Sequence, residues 1–294
     1  MAGSRTPYRG RFAPSPTGPL HLGSLIAAVA SFLDARHQQG VWLVRMEDLD
    51  PPREQPGAAK EILYSLEQHG LFWDEQVMWQ GERHEAYDRV LESLQQAGHL
   101  FHCDCTRQIM GAGGCCGGRC QPRQAELTAP VTTRLAIADS ATVDFEDLWQ
   151  GEQHCELGST ASDFAVLRKD GLYAYQLAVT VDDADQSISH VIRGYDLLAS
   201  TARQIYLQQL LDYTTPVYGH FPVLLNDQGQ KLSKQNKAPA IDNNRAPENL
   251  RQALKFLRQP TPPAPLLTTT EILTYATTNW DRQRLPTGTG MAAD

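Results

Sequence analysis

Near the start of the chain, the run Arg11-Phe-Ala-Pro-Ser-Pro-Thr-Gly-Pro-Leu-His21-Leu-Gly23-Ser24 joins a turn rich in Pro and Gly to the first residues of an apolar-periodic segment. Free N–H groups at a helix start, with glycines that let backbone approach closely, suit an anion. A histidine there can donate to a phosphate oxygen that gains charge in a transition state. The plain alternative is that Pro and Gly shape a turn and His21 caps it. Far downstream, Gly229-Gln-Lys231-Leu-Ser233-Lys234 places two lysines and a hydroxyl on a loop after the apolar Val223 to Leu225. Lysines there can clamp a pyrophosphate leaving group, whereas an isolated loop of this kind is usually only solvated. The early His21-Leu-Gly23 paired with the late Lys231-Leu-Ser-Lys234 is far more specific than either half.

A second chemistry is written in the cysteines. Cys103, Cys105, Cys115, Cys116 and Cys120 fall within eighteen residues, and Cys155 stands alone. A tight cluster in a long chain predicts a metal site rather than a disulfide scaffold, and with it a cytoplasmic protein. Cys103-x-Cys105 followed by Cys116-x₃-Cys120 gives two close thiolate pairs suited to tetrahedral Zn²⁺, with Cys115 an equal candidate for the third ligand by spacing alone. Four protein ligands leave no open position, so one structural zinc per chain is expected. Without a metal, a glycine-rich insertion would have little to fold around.

These residues need a scaffold. A strand over Tyr8 to Ala13, a helix from Leu22 to about His37 and a nearly continuous apolar strand Val41 to Met46 form a βαβ unit, and ligands bind at such crossings. Helices are expected over about Gly57 to His69 and Glu82 to Ala97, with strands at Val131 to Ile137, Asp163 to Leu167 and Ile188 to Ile192. A further helix is expected from Leu197 to Leu211, and helical structure again from about Pro247. Asp182, Asp183 and Asp185 form a cluster that either touches a ribose or faces water, Asp185 the latter.

The motifs resemble the signatures of class I aminoacyl-tRNA synthetases, and their flanks narrow the resemblance to the glutamyl branch. Arg11-Phe-Ala-Pro-Ser-Pro-Thr-Gly, Arg45-Met-Glu-Asp-Leu-Asp50, Tyr175-Gln-Leu-Ala and His190-Val-Ile-Arg193-Gly all resemble that branch's catalytic domain, over roughly Arg9 to Ala238. Only 57 residues follow Lys237, too few for the helical anticodon-binding region of a full synthetase. Length and Cys-rich insertion together resemble the truncated paralogues of the branch. The resemblance implies an α/β fold, a Rossmann-like parallel sheet with a zinc-stapled insertion and a short helical C-terminal region. Its expected divisions are the catalytic halves 8–100 and 131–240, the insertion 101–130, the helical region 241–282 and a disordered tail 283–294. It also implies ATP-dependent activation of L-glutamate as glutamyl-adenylate, with Mg²⁺ assisting, then transfer to the queuosine base in the anticodon of tRNA(Asp). A compact enzyme charging the acceptor end of tRNA(Glu) is the nearest alternative, and a non-catalytic RNA-binding paralogue a more distant one.

Beside that resemblance, the residues carry their own logic. Glutamate needs cationic donors for two carboxylates and an acceptor for one ammonium. Arg11 and Arg193 are the available bidentate donors, and Glu47, just past the second strand, is the acceptor. A solvated loop or a divalent-ion site is the competing reading of Glu47-Asp48-Leu-Asp50. The resemblance adds Ser15 and Tyr175 as glutamate contacts, assigns ATP to His21, Gly23, Ser24 and Lys234, and makes His21, Lys231 and Lys234 the catalytic set. Because relatives carry Cys-x-Cys, a gap, then Tyr-x₃-Cys, it also favours Cys116, in the Tyr place, over Cys115.

Composition sets the outer limits. Among 294 residues, a hydrophobic share of 41% excludes a disordered chain, and the longest apolar run, Leu25 to Leu33 broken only by Ser31, is shorter than the roughly 20 residues that span a bilayer. No apolar stretch follows the basic N-terminal residues, so no secretory signal is expected and no membrane partner. A net charge of −8 argues against generic nucleic-acid binding. Yet Leu225 to Arg258 holds seven basic residues against three acidic, and Arg107, Arg119 and Arg123 lie around the insertion. A modest basic footprint on an acidic body suits transient binding of a tRNA by a monomer.

Overall fold

A computed structural model describes residues 7–110, 114–128, 130–160, 163–226, 228–232 and 238–292. The expected βαβ unit opens the chain. β1 (Arg9–Phe12) leads into α1 (Leu22–His37), which returns to β2 (Val41–Met46). β1 and β2 run parallel with Arg11 beside Leu43, and β2 pairs in parallel with β3 (Met78–Trp79) after α2 (Ala58–Gln68). Helix α1 carries an almost unbroken buried set from Leu25 to Ala35, so it is a core helix covered on all sides rather than one with a single apolar face.

After α3 (His84–Gln96) the chain enters a small antiparallel sheet. Its first strand is β4 (Leu100–Cys103), followed by the short α4 (Arg107–Met110), the cysteine loop and β5 (Thr132–Ala136). A hairpin of β6 (Thr142–Asp147) and β7 (Gly151–Glu156), then α5 (Leu157–Thr160), precede β8 (Asp163–Leu167), which pairs antiparallel with β5. The parallel sheet then resumes. α6 (Tyr175–Asp185) leads to β9 (His190–Gly194), α7 (Leu198–Leu210) and β10 (Val217–Phe221), and β10 runs parallel to both β9 and β6. The Ser189 N–H donates to Arg9 O at 2.9 Å, setting β9 beside β1. The strand order therefore reverses direction between β1 and β9, and a ligand crevice is expected at the carboxyl ends of those two strands.

The C-terminal part is β11 (Val223–Leu225), α8 (Ala246–Phe256), α9 (Thr269–Thr278) and β12 (Gly290–Ala292). β12 pairs in parallel with β11, and Leu285 is buried, so the stretch expected as a disordered tail is ordered through Ala292. Composition misleads there because a Thr/Gly-rich segment can still add an edge strand when a partner strand is exposed. A buried carboxylate ties this region to the body. Asp34 on α1 accepts from Tyr8 Oη, Trp280 Nε1 and the Arg282 guanidinium. Asp34→Ala would leave Arg282 facing an emptied site, and we expect a loss of about 2–3 kcal/mol, read as a lowered urea midpoint with an unchanged slope. Among the described residues, no helix is long and apolar enough to cross a membrane.

Candidate functional site

A cavity of about 720 Å³ opens at the carboxyl ends of β1 and β9, where the strand order reverses. Arg11, Ser15, His21, Gly23, Ser24, Glu47, Tyr175, Arg193 and Lys231, drawn from segments more than 200 residues apart, all line it. Ser233 and Lys234 lie outside the described residues.

His21 both lines the cavity and caps α1. Its Nδ1 accepts from the Ser24 N–H at 3.2 Å, and its Nε2 lies 3.0 Å from Ser24 Oγ. The capping and phosphate-facing readings are thus compatible, since the ring is held at the rim by the cap itself. Gly23 keeps that rim open, because a Cβ there would meet the His21 ring at 3.1 Å. Lys231 stands across the mouth with its ammonium on the Asp196 carboxylate.

The arginines differ from the expectation in one respect. Both are bidentate donors, but each fork is already engaged within the protein. Arg11 donates from Nε to Asp183 Oδ1 at 3.0 Å and from Nη2 to Asp183 Oδ2 at 3.2 Å, leaving Nη1. Arg193 donates from Nε to His220, from Nη2 to Thr201 Oγ1 at 2.7 Å, and from Nη1 toward Tyr175 Oη at 3.4 Å. Both cations therefore offer the cavity one edge, at a fixed angle.

Asp183 also corrects the reading of the aspartate cluster. Asp182 and Asp183 neither reach a ribose nor face water. They are buried on α6 and neutralise Arg45, Arg11 and Arg83. Asp185 pairs with Arg83 at the surface. The available signal was that two adjacent carboxylates sit inside an apolar helix, which is tolerable only with cationic partners.

Glu47 completes the floor of the cavity. Burial pushes its carboxyl up to about 7, with Asp183 and Asp182 adding to the rise and the Arg45 and Arg11 guanidinium groups opposing it. A carboxylate accepts an ammonium only when ionised, so Glu47 in that role would hold a ligand ammonium at and above that pH and release it below. Because kcat/KM reports the free enzyme, we expect kcat/KM for an amino-acid substrate to fall about tenfold per pH unit below about 7. In Glu47→Gln that limb should vanish, with a low value throughout. For stability the sign is opposite. A carboxyl raised on folding favours the fold when protonated, and this contribution is lost as pH rises toward about 7.

A separate cluster forms at the end of β4. The Sγ atoms of Cys103, Cys105, Cys116 and Cys120 all lie within 4.8 Å of one another, whereas Cys115 and Cys155 are outside the group. Tetrahedral Zn–S bonds of about 2.3 Å place sulfurs about 3.8 Å apart. The distances of 3.7 Å from Cys105 to Cys116 and 3.5 Å from Cys105 to Cys120 fit that spacing. Asp163, at the start of β8, supports the loop by accepting the N–H groups of Cys116 and Gly117 at 3.0 Å while pairing with Arg134. The arginines near it are partly committed. Arg123 reaches Asp104 and Glu126, Arg119 reaches Ile109 O, and the side chain of Arg107 is outside the described set.

The family model of the class I tRNA synthetases (E and Q), catalytic domain, matches residues 8–113 and 121–261. The glutamyl-Q tRNA(Asp) synthetase of Neisseria meningitidis serogroup A is 47% identical over 95% of this chain and 97% of its own length. That of Thiobacillus denitrificans is 48% identical over 95% of each. Among solved structures, a glutamate tRNA ligase from Elizabethkingia meningosepticum superposes with a TM-score of 0.81 at 23% identity, covering 98% of this chain and 67% of that one, a likeness of fold. Near-complete coverage at such identity places the chain in the glutamyl-Q tRNA(Asp) synthetase family of class I ligases.

Proposed function

We propose that the protein activates L-glutamate with ATP and transfers the glutamyl group to the queuosine base of tRNA(Asp), acting as a cytoplasmic monomer. The observation that carries the first half is a single cavity with two fixed guanidinium edges, the Glu47 carboxylate and the Tyr175 phenol deep in it, Asp196 paired with Lys231 at its mouth, and a helix start with His21 at its rim. That set matches two carboxylates, one ammonium and a triphosphate. Glutamate's α-carboxylate attacks the α-phosphorus in line, and pyrophosphate leaves. His21 and Lys234 stabilise the charge on the phosphate oxygens, and Lys231 exchanges Asp196 for phosphate as ATP enters. Gly23 and Ser24 lie against the nucleotide, and Ser15 against the amino acid. Mg²⁺, bound to the triphosphate, would supply charge neutralisation of the pyrophosphate leaving group. A hydroxyl of the modified base then attacks the adenylate's acyl carbon, and AMP leaves. No protein nucleophile is required, because the adenylate is already an activated acyl group. Cys103, Cys105, Cys116 and Cys120 would hold a zinc ion with all four positions taken by protein, so it would supply structure to the insertion and no catalysis.

The second half, the choice of acceptor, is supported by the name shared by the relatives that match along nearly their whole length. The test measures glutamate-dependent ATP–pyrophosphate exchange with and without tRNA, then charging of tRNA(Asp) with and without queuosine. Exchange with glutamate and charging that requires queuosine are expected. Preferential charging of tRNA(Glu) would replace the acceptor, and absence of exchange with any amino acid would remove the activation step.

A further inference from the structure

We propose that Asp147 and His220, outside the cavity lining, act as positioning residues that set the donor edge of Arg193 for one of glutamate's two carboxylates; this rests on the glutamate-activating reading above. Asp147 ends β6, His220 lies in β10 and Arg193 in β9, and His220 and Arg193 are directly paired in the sheet register. All three are buried, His220 completely. A polar triad of this kind is costly in a core unless every group is satisfied.

The contacts leave the triad one arrangement. Asp147 Oδ1 accepts three backbone N–H groups, from Trp149 at 3.1 Å, Gln150 at 3.0 Å and His220 at 3.1 Å. Its Oδ2 lies 2.5 Å from His220 Nδ1, so that nitrogen carries the proton. The lone pair on His220 Nε2 then accepts from Arg193 Nε at 2.9 Å. With Nη2 on Thr201, the guanidinium cannot rotate, and Nη1 is presented toward the cavity beside Tyr175. The charges agree with the assigned tautomer. Burial and the neighbouring Arg193 and Arg11 lower the His220 pKa against the pull of Asp147, keeping the imidazole neutral; Thr201 Oγ1, 3.1 Å from Nε2, shares that lone pair with Arg193, and the Tyr218 ring stacks alongside.

Two near-isosteric substitutions separate positioning from simple core packing. In His220→Asn, the amide can still donate to Asp147, but nothing accepts from Arg193 Nε. In His220→Gln, the longer side chain brings an oxygen to the Nε2 place. Asp147→Asn supplies a third variant, because its amide would reverse the His220 tautomer and turn Nε2 into a donor facing Arg193. In ATP–pyrophosphate exchange, His220→Asn and Asp147→Asn should raise KM for glutamate about tenfold or more, the loss of one charge-assisted hydrogen bond, with kcat and KM for ATP within about threefold. His220→Gln should return glutamate KM to within about threefold of the parent. Calorimetric titration with glutamate, which needs no turnover, should give the same order. A glutamate KM unchanged in His220→Asn, a Gln variant as impaired as the Asn variant, or a parallel rise in KM for ATP would overturn the proposal. A parent that binds glutamate, more weakly in His220→Asn, yet exchanges no pyrophosphate would support positioning and sink the activation reading. A parent that neither binds nor activates glutamate would overturn both.

Discussion

Arg193→Gln should lower kcat/KM for glutamate in ATP–pyrophosphate exchange by about 10²–10³-fold, in a protein that still folds but melts lower because His220 loses its guanidinium donor. Removing one partner of a buried, hydrogen-bonded charge pair costs about 2–5 kcal/mol, and each 1.4 kcal/mol is tenfold. Arg193 lies at the upper part of that range because the protein has already ordered it. Thr201, His220 and the backbone oxygen of Leu197 hold two of its nitrogens, so little side-chain entropy remains to be lost on binding. Glutamine keeps much of the volume and a donor for Thr201, but it carries no charge for a carboxylate. The loss should fall on glutamate and spare KM for ATP, whose phosphates are assigned to the His21 rim. Exchange within about threefold of the parent would show that no glutamate carboxylate rests on Arg193. By contrast, Arg11 is a poorer probe, because its removal would also strip a partner from Asp183 within a buried cluster of charges.

The contrast between those arginines marks what the sequence could and could not disclose. Local pattern was sufficient for α1, β2, β8 and β11, whose bounds agree with the expectation, because a buried helix face or an apolar strand is written in consecutive residues. The cavity residues were also legible as short motifs, although they converge from opposite ends of the chain. Not legible were the groups behind them. Asp147 and His220 are 73 residues apart, and Arg11 and Asp183 are 172 apart. Such pairings follow from sheet order rather than from spacing. A trace existed in each case. His220 interrupts the apolar run Val217 to Phe221, and Asp182-Asp183 interrupts α6. A polar residue in an apolar element signals a partner without naming it. The β6–β7 hairpin was missed for the opposite reason. In β6 only Val143 and Phe145 alternate with polar residues, too short a signal by itself, and its partner β7 is largely exposed and carries no such alternation.

Cys103→Ser and Cys120→Ser should each abolish binding of about one zinc per chain and open the segment 101–130 to proteolysis, while the rest of the chain stays protected. Besides the thiols, the insertion rests on a small core and a few side-chain hydrogen bonds, among them Gln124 to the His102 backbone and the Cys120 carbonyl and Arg134 to Gly114 O. The buried core around it consists of Phe101 and the side chains of Cys103, Cys116 and Cys120, flanked by Cys105, Leu127 and Ala136. Burying a few small side chains yields a few kcal/mol, whereas structural zinc sites supply about 10–16 kcal/mol of apparent binding energy. The Asp163–Arg134 pair anchors only one side of the loop, through the N–H groups of Cys116 and Gly117. Chelation should therefore reproduce the proteolytic pattern of the serine variants. Cys115→Ser and Cys155→Ser serve as controls and should keep the metal, because neither thiol lies in the four-sulfur group. Metal content by mass spectrometry and limited proteolysis decide the matter together. Full zinc in Cys103→Ser, or a protease-resistant insertion in metal-free protein, would show that the four thiols do not staple this loop.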